Sequence, residues 1–319
     1  MSLKNHFYKA KAGLFGVLLF AMTAGNAAMA QIPEEMTDLT LQKKLETLIQ
    51  DFRGDVGIFV KHVPTGRIAA IRADELFPTA SMIKVPIMLT LFDKIERGEL
   101  EYGAEMTYLD TTIYAGDDGI VASLKDSTKI ALSKLVMLMI TTSDNSASLW
   151  CQALAGTGTE INRWLAENGF EQTRVNSRTP DRREGYQAYG WGQTTPRDMA
   201  GLLELIRRGQ AVSADASEEM YRILTRIYWN SEALSEIPPY VQAASKQGAV
   251  NQSRSEVVLV NAPSGDYVFC VITKNQADTS WQYDNEGFVL LRQVSKLLWQ
   301  YFEPESTWQP GQNQHKWAK

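Results

Sequence analysis

Histidine is scarce in this sequence. Three occur in 319 residues, and one of them falls in an N-terminal stretch that reads as a leader, which leaves His62 and His315. A histidine-rich zinc hydrolase is thereby nearly excluded, and a Ser-His-Asp hydrolase would have to use His62. His62 lies in Val56-Gly-Ile-Phe-Val-Lys-His-Val63, a strand pattern in which a surface or edge position is expected. His315 lies in a polar tail expected to fray. Cysteine is scarcer still. Cys151 and Cys270 form neither a CxxC metal site nor a disulfide framework; they could pair in an oxidising compartment, but two isolated cysteines read more readily as buried free thiols.

Positive charge is also short. The first thirty residues combine Lys4, Lys9 and Lys11, an apolar run from Leu14 to Met22 and the small-residue pattern Ala28-Met-Ala30, the organisation of a cleaved export signal. Its removal leaves 29 basic against 37 acidic residues, a net charge of −8. That balance argues against nucleic acid as a partner. After Ala30 no stretch approaches the ~18–20 uncharged apolar residues of a membrane helix, and no cysteine follows the cleavage point to carry a lipid. A soluble, monomeric, periplasmic or secreted protein without a membrane anchor is expected.

What is present reads as an α/β (α+β) fold. Leu41, Leu45, Leu48, Ile49 and Phe52 recur at helical spacing over 38–52, and Val56–Val63 and Arg67–Arg72 read as strands joined across Pro64-Thr-Gly66. From about 80 to 225 the pattern is helical: Met82–Arg97 ending at Gly98, Leu132–Thr141, Ser146–Leu154, Glu160–Asn168, and Met199–Arg208 behind a Thr195 cap and Pro196. Strand character returns at Val241–Val250, Glu256–Asn261 and Tyr267–Thr273, and a helix through Leu290, Val294, Leu298 and Tyr301 closes the fold. The expected architecture is an antiparallel sheet built from both chain ends and flanked by helices, with an inserted all-helical subdomain. The division runs as leader 1–30, catalytic domain 31–303 (sheet part about 31–80 and 225–303, helical part about 81–224) and a polar tail, 304–319, that adds little.

Ser81-Met-Ile-Lys84 opens the first middle helix. Residues three apart on a helix share a face, so Lys84 can reach the Ser81 hydroxyl, and the helix start offers free backbone N–H groups where negative charge develops. Pro86 is expected to distort this first turn. Alone, a Ser-x-x-Lys is weak evidence. Ser143-Asp-Asn145 follows between two predicted helices, and Lys246-Gln-Gly248 on the first returning strand. Each has an ordinary reading, as a helix cap or an edge-strand lysine; in this order and on these elements they form the signature set of class A β-lactamases and penicillin-binding proteins. Phe77-Pro-Thr-Ala-Ser-Met-Ile-Lys-Val85, Met139-Ile-Thr-Thr-Ser-Asp-Asn-Ser146 and Thr194-Thr-Pro-Arg-Asp-Met-Ala-Gly-Leu-Leu203 resemble class A β-lactamases, and the resemblance covers about 38–303.

That resemblance implies a β-lactam-opening serine hydrolase needing neither metal nor organic cofactor. It implies Ser81 as nucleophile, Lys84 as its base, Ser143 as proton relay, Asn145 as a substrate-amide partner, Lys246 as carboxylate partner, and an oxyanion site between the backbone N–H groups of Ser81 and Ala249, beside Gly248. The alternatives are a D-alanyl-D-alanine-type peptidase or other cell-wall peptide hydrolase, and a penicillin-binding protein with little turnover. Two departures stand out. Gln247 replaces the hydroxyl residue usual between Lys and Gly. The deacylating glutamate of the family also has no evident counterpart: Thr179 occupies its place by ungapped counting from Pro196, and Glu184, or less readily Asp181, is the candidate replacement, with a solvated charged turn as the ordinary reading.

Overall fold

The computed structural model describes residues 33–112 and 119–318; the stretch read as an export leader lies outside them. The chain begins with strand β1 (Met36–Thr37), helix α1 (Leu39–Ile49), strands β2 (Asp55–His62) and β3 (Arg67–Ile71), and short strand β4 (Phe77–Pro78). A 3₁₀ turn, Ala80–Ile83, leads into α2 (Lys84–Glu96). Strands β5 (Glu105–Thr107) and β6 (Lys129–Ala131) precede α3 (Leu132–Thr141), α4 (Asn145–Leu154) and α5 (Thr157–Glu167). Then come β7 (Arg174–Val175), α6 (Arg183–Tyr189), β8 (Gly192–Thr194), α7 (Pro196–Arg207) and α8 (Ala214–Leu224). Strands β9 (Ala243–Val250), β10 (Ser253–Val260) and β11 (Tyr267–Lys274) and helix α9 (Glu286–Phe302) complete the domain.

The large sheet has strand order β1-β3-β2-β11-β10-β9, antiparallel except for β1 on β3. Both chain ends meet at its centre, where β2 pairs with β11 from His62↔Tyr267 to Asp55↔Lys274. Alternation along the strands sorts two cores. Ile58, Val60, Val258, Val260, Phe269 and Val271 face α1 and α9, while Phe59, Val257, Leu259, Val268, Cys270 and Ile272 face α7 and the helical block. Asp38 caps α1 through Leu41 N (3.1 Å), and Thr195 caps α7 through Asp198 N (3.0 Å) with Pro196 behind it. Among the described residues no helix is long and apolar enough to cross a membrane.

The middle block is not purely helical. Strands β4, β8 and β7 form one small sheet and β5 with β6 a ribbon, all too short to carry a period in the sequence. His62 is buried rather than at an edge, because β2 is a central strand: it stacks on Phe302 at 5.1 Å, and burial holds its imidazole below the ordinary histidine range. Cys151 and Cys270 are both buried and unpaired. The tail does more than fray. Ser306 Oγ accepts from Trp299 Nε1 at 3.2 Å, Gln314 donates to Ser235 O at 3.1 Å, and Gln314–Trp317 coil into a 3₁₀ turn.

Candidate active site

Ser81 sits inside the 3₁₀ turn, and α2 proper starts only at Lys84. Pro86 explains the break: as the third residue of α2 it has no N–H to give to Met82 O, so the chain enters the helix through i→i+3 bonds, with Lys84 N reaching Ser81 O. The tighter winding helps the chemistry. In a 3₁₀ turn residues i and i+3 eclipse, which stacks Lys84 over Ser81 with Nζ 3.0 Å from Oγ. Ala80 adopts φ 43°, a left-handed conformation that sets the entry into this turn.

The Ser-Asp-Asn segment links α3 to α4. Ser143 is left-handed too, at φ 61°, and this aims both its carbonyl and its hydroxyl at Lys84: Nζ donates to Ser143 O at 2.6 Å and lies 3.0 Å from Ser143 Oγ. Asp144 is buried and structural, accepting from Ala147 N at 2.8 Å as the cap of α4 and from Val121 N at 2.9 Å. Asn145 Oδ1 accepts from Lys84 at 2.9 Å. The carbonyl of Ser143 and the amide oxygen of Asn145 can only accept, so they claim two Nζ protons. The third position of the nitrogen faces the Ser81 and Ser143 hydroxyls, which can donate or accept. A neutral amine is therefore fully satisfied here with its lone pair toward Ser81.

Strand β9 closes the other side. Lys246 is fully buried, 3.1 Å from Ser143 Oγ, and bonds both the carbonyl (3.1 Å) and the side-chain oxygen (3.0 Å) of Gln247. Burial pushes the Lys246 ammonium well below the ordinary lysine range and nearby Lys84 pushes the same way, against the opposing pull of Glu256 and Glu232. Gly248 lets β9 lie flat on the serine turn: a Cβ there would fall 2.6 Å from Thr79 O, 2.7 Å from Ser255 Oγ and 3.0 Å from Ser81 N. Ser81, Ser143, Asn145, Gln247, Gly248 and Ala249 line a cleft of about 1200 Å³.

A sequence model described as the β-lactamase enzyme family matches residues 40–302. The chain belongs to the β-lactamase enzyme family. It is 25% identical over 300 residues to β-lactamase AER-1 of Aeromonas hydrophila, covering 92% of this chain and 95% of that one. The β-lactamase of Bacillus licheniformis is 24% identical, covering 89% and 92%. Among solved structures, PBP-A superposes with a TM-score of 0.76 at 26% identity, covering 86% of this chain and all of PBP-A. A class A β-lactamase from Bacteroides cellulosilyticus shares the fold with a TM-score of 0.74 at 15% identity, covering 83% and 98%.

Within this family member, Glu184 is not brought to the cluster. It lies exposed in the first turn of α6, a helix with no buried residue, and Asp181 is exposed just before it. Neither lines the cleft. The inner side of that loop is held instead by Arg182, which donates to Asn176 Oδ1 (2.8 and 3.0 Å) and Gln193 Oε1 (2.7 Å). Thr179 turns toward Gly158 of α5 and donates to Ser177 O at 2.9 Å. Among the described residues lining the cleft, the carboxylates are Asp144 and Glu232.

Sequence reasoning missed a second layer behind Lys246. Glu256, directly across from Gln247 on β10, is fully buried and accepts from Ser245 Oγ (2.6 Å) and Ala233 N (2.8 Å). Burial, with Glu232 adding to it, pushes its carboxyl up to about 8, and burial raises Glu232 as well. A charged residue inside the apolar run Glu256-Val-Val-Leu-Val260 was the available signal, since such residues stay buried only with partners. The aromatic and cationic wall of Trp229, Trp281, Tyr283 and Arg292 left no motif.

Proposed function

We propose that this chain opens β-lactams through an acyl-enzyme on Ser81. The observation that carries the reading is the position of Lys84 Nζ, 3.0 Å from each of two serine hydroxyls. Lys84 as the free amine takes the Ser81 proton, and Oγ attacks the lactam carbonyl carbon. The charge that develops on the carbonyl oxygen faces the backbone N–H groups of Ser81 and Ala249. As the C–N bond breaks, Ser143 gives its proton to the leaving nitrogen and recovers one from Lys84, which resets the amine. Lys246 and Gln247 receive the substrate carboxylate, whose arrival favours the charged form of a lysine whose ammonium burial disfavours. Asn145 holds the substrate amide with the NH₂ that Lys84 leaves free.

Release of the acyl group needs an activated water, and no described carboxylate on the loop side of the cleft offers one. Acylation therefore outpaces hydrolysis, which brings the penicillin-binding reading close to the β-lactamase one. A point mutant of PBP-A has been captured as an acyl-enzyme complex with penicillin G, a precedent for a persistent ester on this scaffold. Residues 1–30 direct export in this reading.

Intact-mass analysis of the exported protein with benzylpenicillin tests it. The expected result is a chain beginning at Gln31 that gains one ligand mass, with a chromogenic β-lactam showing a burst of about one equivalent before slower turnover, as loss of general-base help worth ~10²–10⁴ predicts. Ser81→Ala is expected to abolish the adduct, and an adduct persisting in that variant overturns the assignment.

A further inference from the structure

The family match ends at residue 302, and PBP-A is covered in full by only 86% of this chain. The segment beyond α9 lies outside that family match. It returns to the cleft, where His315 and Ala318 line the same space as Ser81, Ser143 and Gln247. The His315 ring packs on Tyr283 with centroids 6.3 Å apart. Tyr283 is fixed in turn by Arg292, whose guanidinium lies 3.8 Å over its ring and donates to its carbonyl at 2.5 Å. Behind the tail a second space of about 640 Å³ runs between Trp308, Gly311, Gln314 and Trp317 and the 225–243 segment, so the tail spans a gap rather than filling one.

This wall stands on one identifiable flank. Ser143 and Lys246 mark the side where the leaving nitrogen and the substrate carboxylate lie in the acylation reading. Arg292 Nη1 donates to Ser231 O at 3.5 Å, and two residues on Ala233 N donates to Glu256, which lies directly across from Gln247; this puts Arg292, Tyr283 and the tail packed on it on the Lys246–Gln247 side, beyond that carboxylate rather than beside the acyl side chain. We propose that residues 306–318, through His315 and Ala318, form a specificity wall on the leaving-group side of the cleft, disfavouring β-lactams that carry a bulky substituent next to the carboxylate-bearing carbon. The inference rests on the Ser81 acylation reading.

Two cephalosporins with the same acyl side chain, one with a methyl and one with a bulky aromatic group at the ring carbon beside the carboxylate, test it in the full-length protein. Second-order acylation rates are read by intact mass. His315→Ala is expected to raise the bulky-to-methyl rate ratio about tenfold, the scale on which pocket shape discriminates. Ala318→Trp, which adds bulk at the same rim, is expected to lower it. A pair differing only in the acyl side chain is expected to keep its ratio in both variants, a control that separates a wall from a general structural role. Unchanged ratios for the first pair in both variants, with folding confirmed by melting temperature, overturn the proposal. Absence of any adduct in the wild type overturns the acylation reading instead.

Discussion

At the scale of single residues the site depends on a nitrogen that must be able to lose its proton. Lys84 is buried among oxygens, and its neighbours are satisfied by an amine as well as by an ammonium. Arginine keeps the charge and cannot supply the free base. Lys84→Arg is therefore expected to cut the rate of acylation by ~10²–10⁴ while the protein stays folded, as measured by adduct formation against time beside circular dichroism; near wild-type acylation in a folded variant rules out the base role. These residues were legible because Ser-x-x-Lys, Ser-Asp-Asn and Lys-x-Gly combine fixed spacing with fixed side-chain chemistry. The left-handed backbone of Ser143 was not, since no residue type at that position announces it. Nor was the outward turn of Glu184, since a charged loop reads alike whether it faces a cleft or solvent.

At the scale of elements the geometry depends on how closely a strand approaches a turn. Gly248 is the contact point, with a backbone carbonyl and the Ser81 amide where a Cβ would be. Backbone cannot rotate aside as a side chain can, so Gly248→Ala is expected to cost roughly 1–3 kcal/mol and to slow acylation at least about tenfold by shifting the Ser81 turn. Denaturant unfolding and adduct kinetics check both; wild-type acylation would show that β9 and the turn are not rigidly coupled. Long elements with a strong period, such as α1, β2, β11 and α9, could be read from sequence. Two-residue strands such as β4 and β7 could not, because they exist only through their partners. The helix α8 fell inside the stretch read as helical but was not delimited, although its signal was present: Ser213 caps it and Met220, Ile223 and Leu224 line its buried face.

At the scale of the whole molecule, the sheet carries a buried acid, Glu256 on β10, in its interior. Glu256 retains its proton until about pH 8 in the folded state, whereas in an unfolded chain a glutamate releases it near pH 4.3. Folded protein thus holds more protons across that window, and this group lowers stability as pH rises through it. Glu256→Gln keeps an acceptor for Ala233 N and has no proton to lose, so the variant is expected to gain on the wild type between pH 5 and pH 8 in urea unfolding; a constant difference across that range would show that Glu256 does not titrate there. The same sheet sets a condition on synthesis. Its central pair joins strands from opposite ends of the chain, with Asn275 bonded to Asp55 across 220 positions and Tyr301 on α9 bonded to Asp38 at the head of α1. While a ribosome is still translating the middle helices, β2 has no β11 to pair with and α1 has no α9 beside it. The nascent chain emerges without a finished core until β11 and α9 have been translated, so a product truncated even at residue 260 is a substrate for proteases rather than a smaller enzyme.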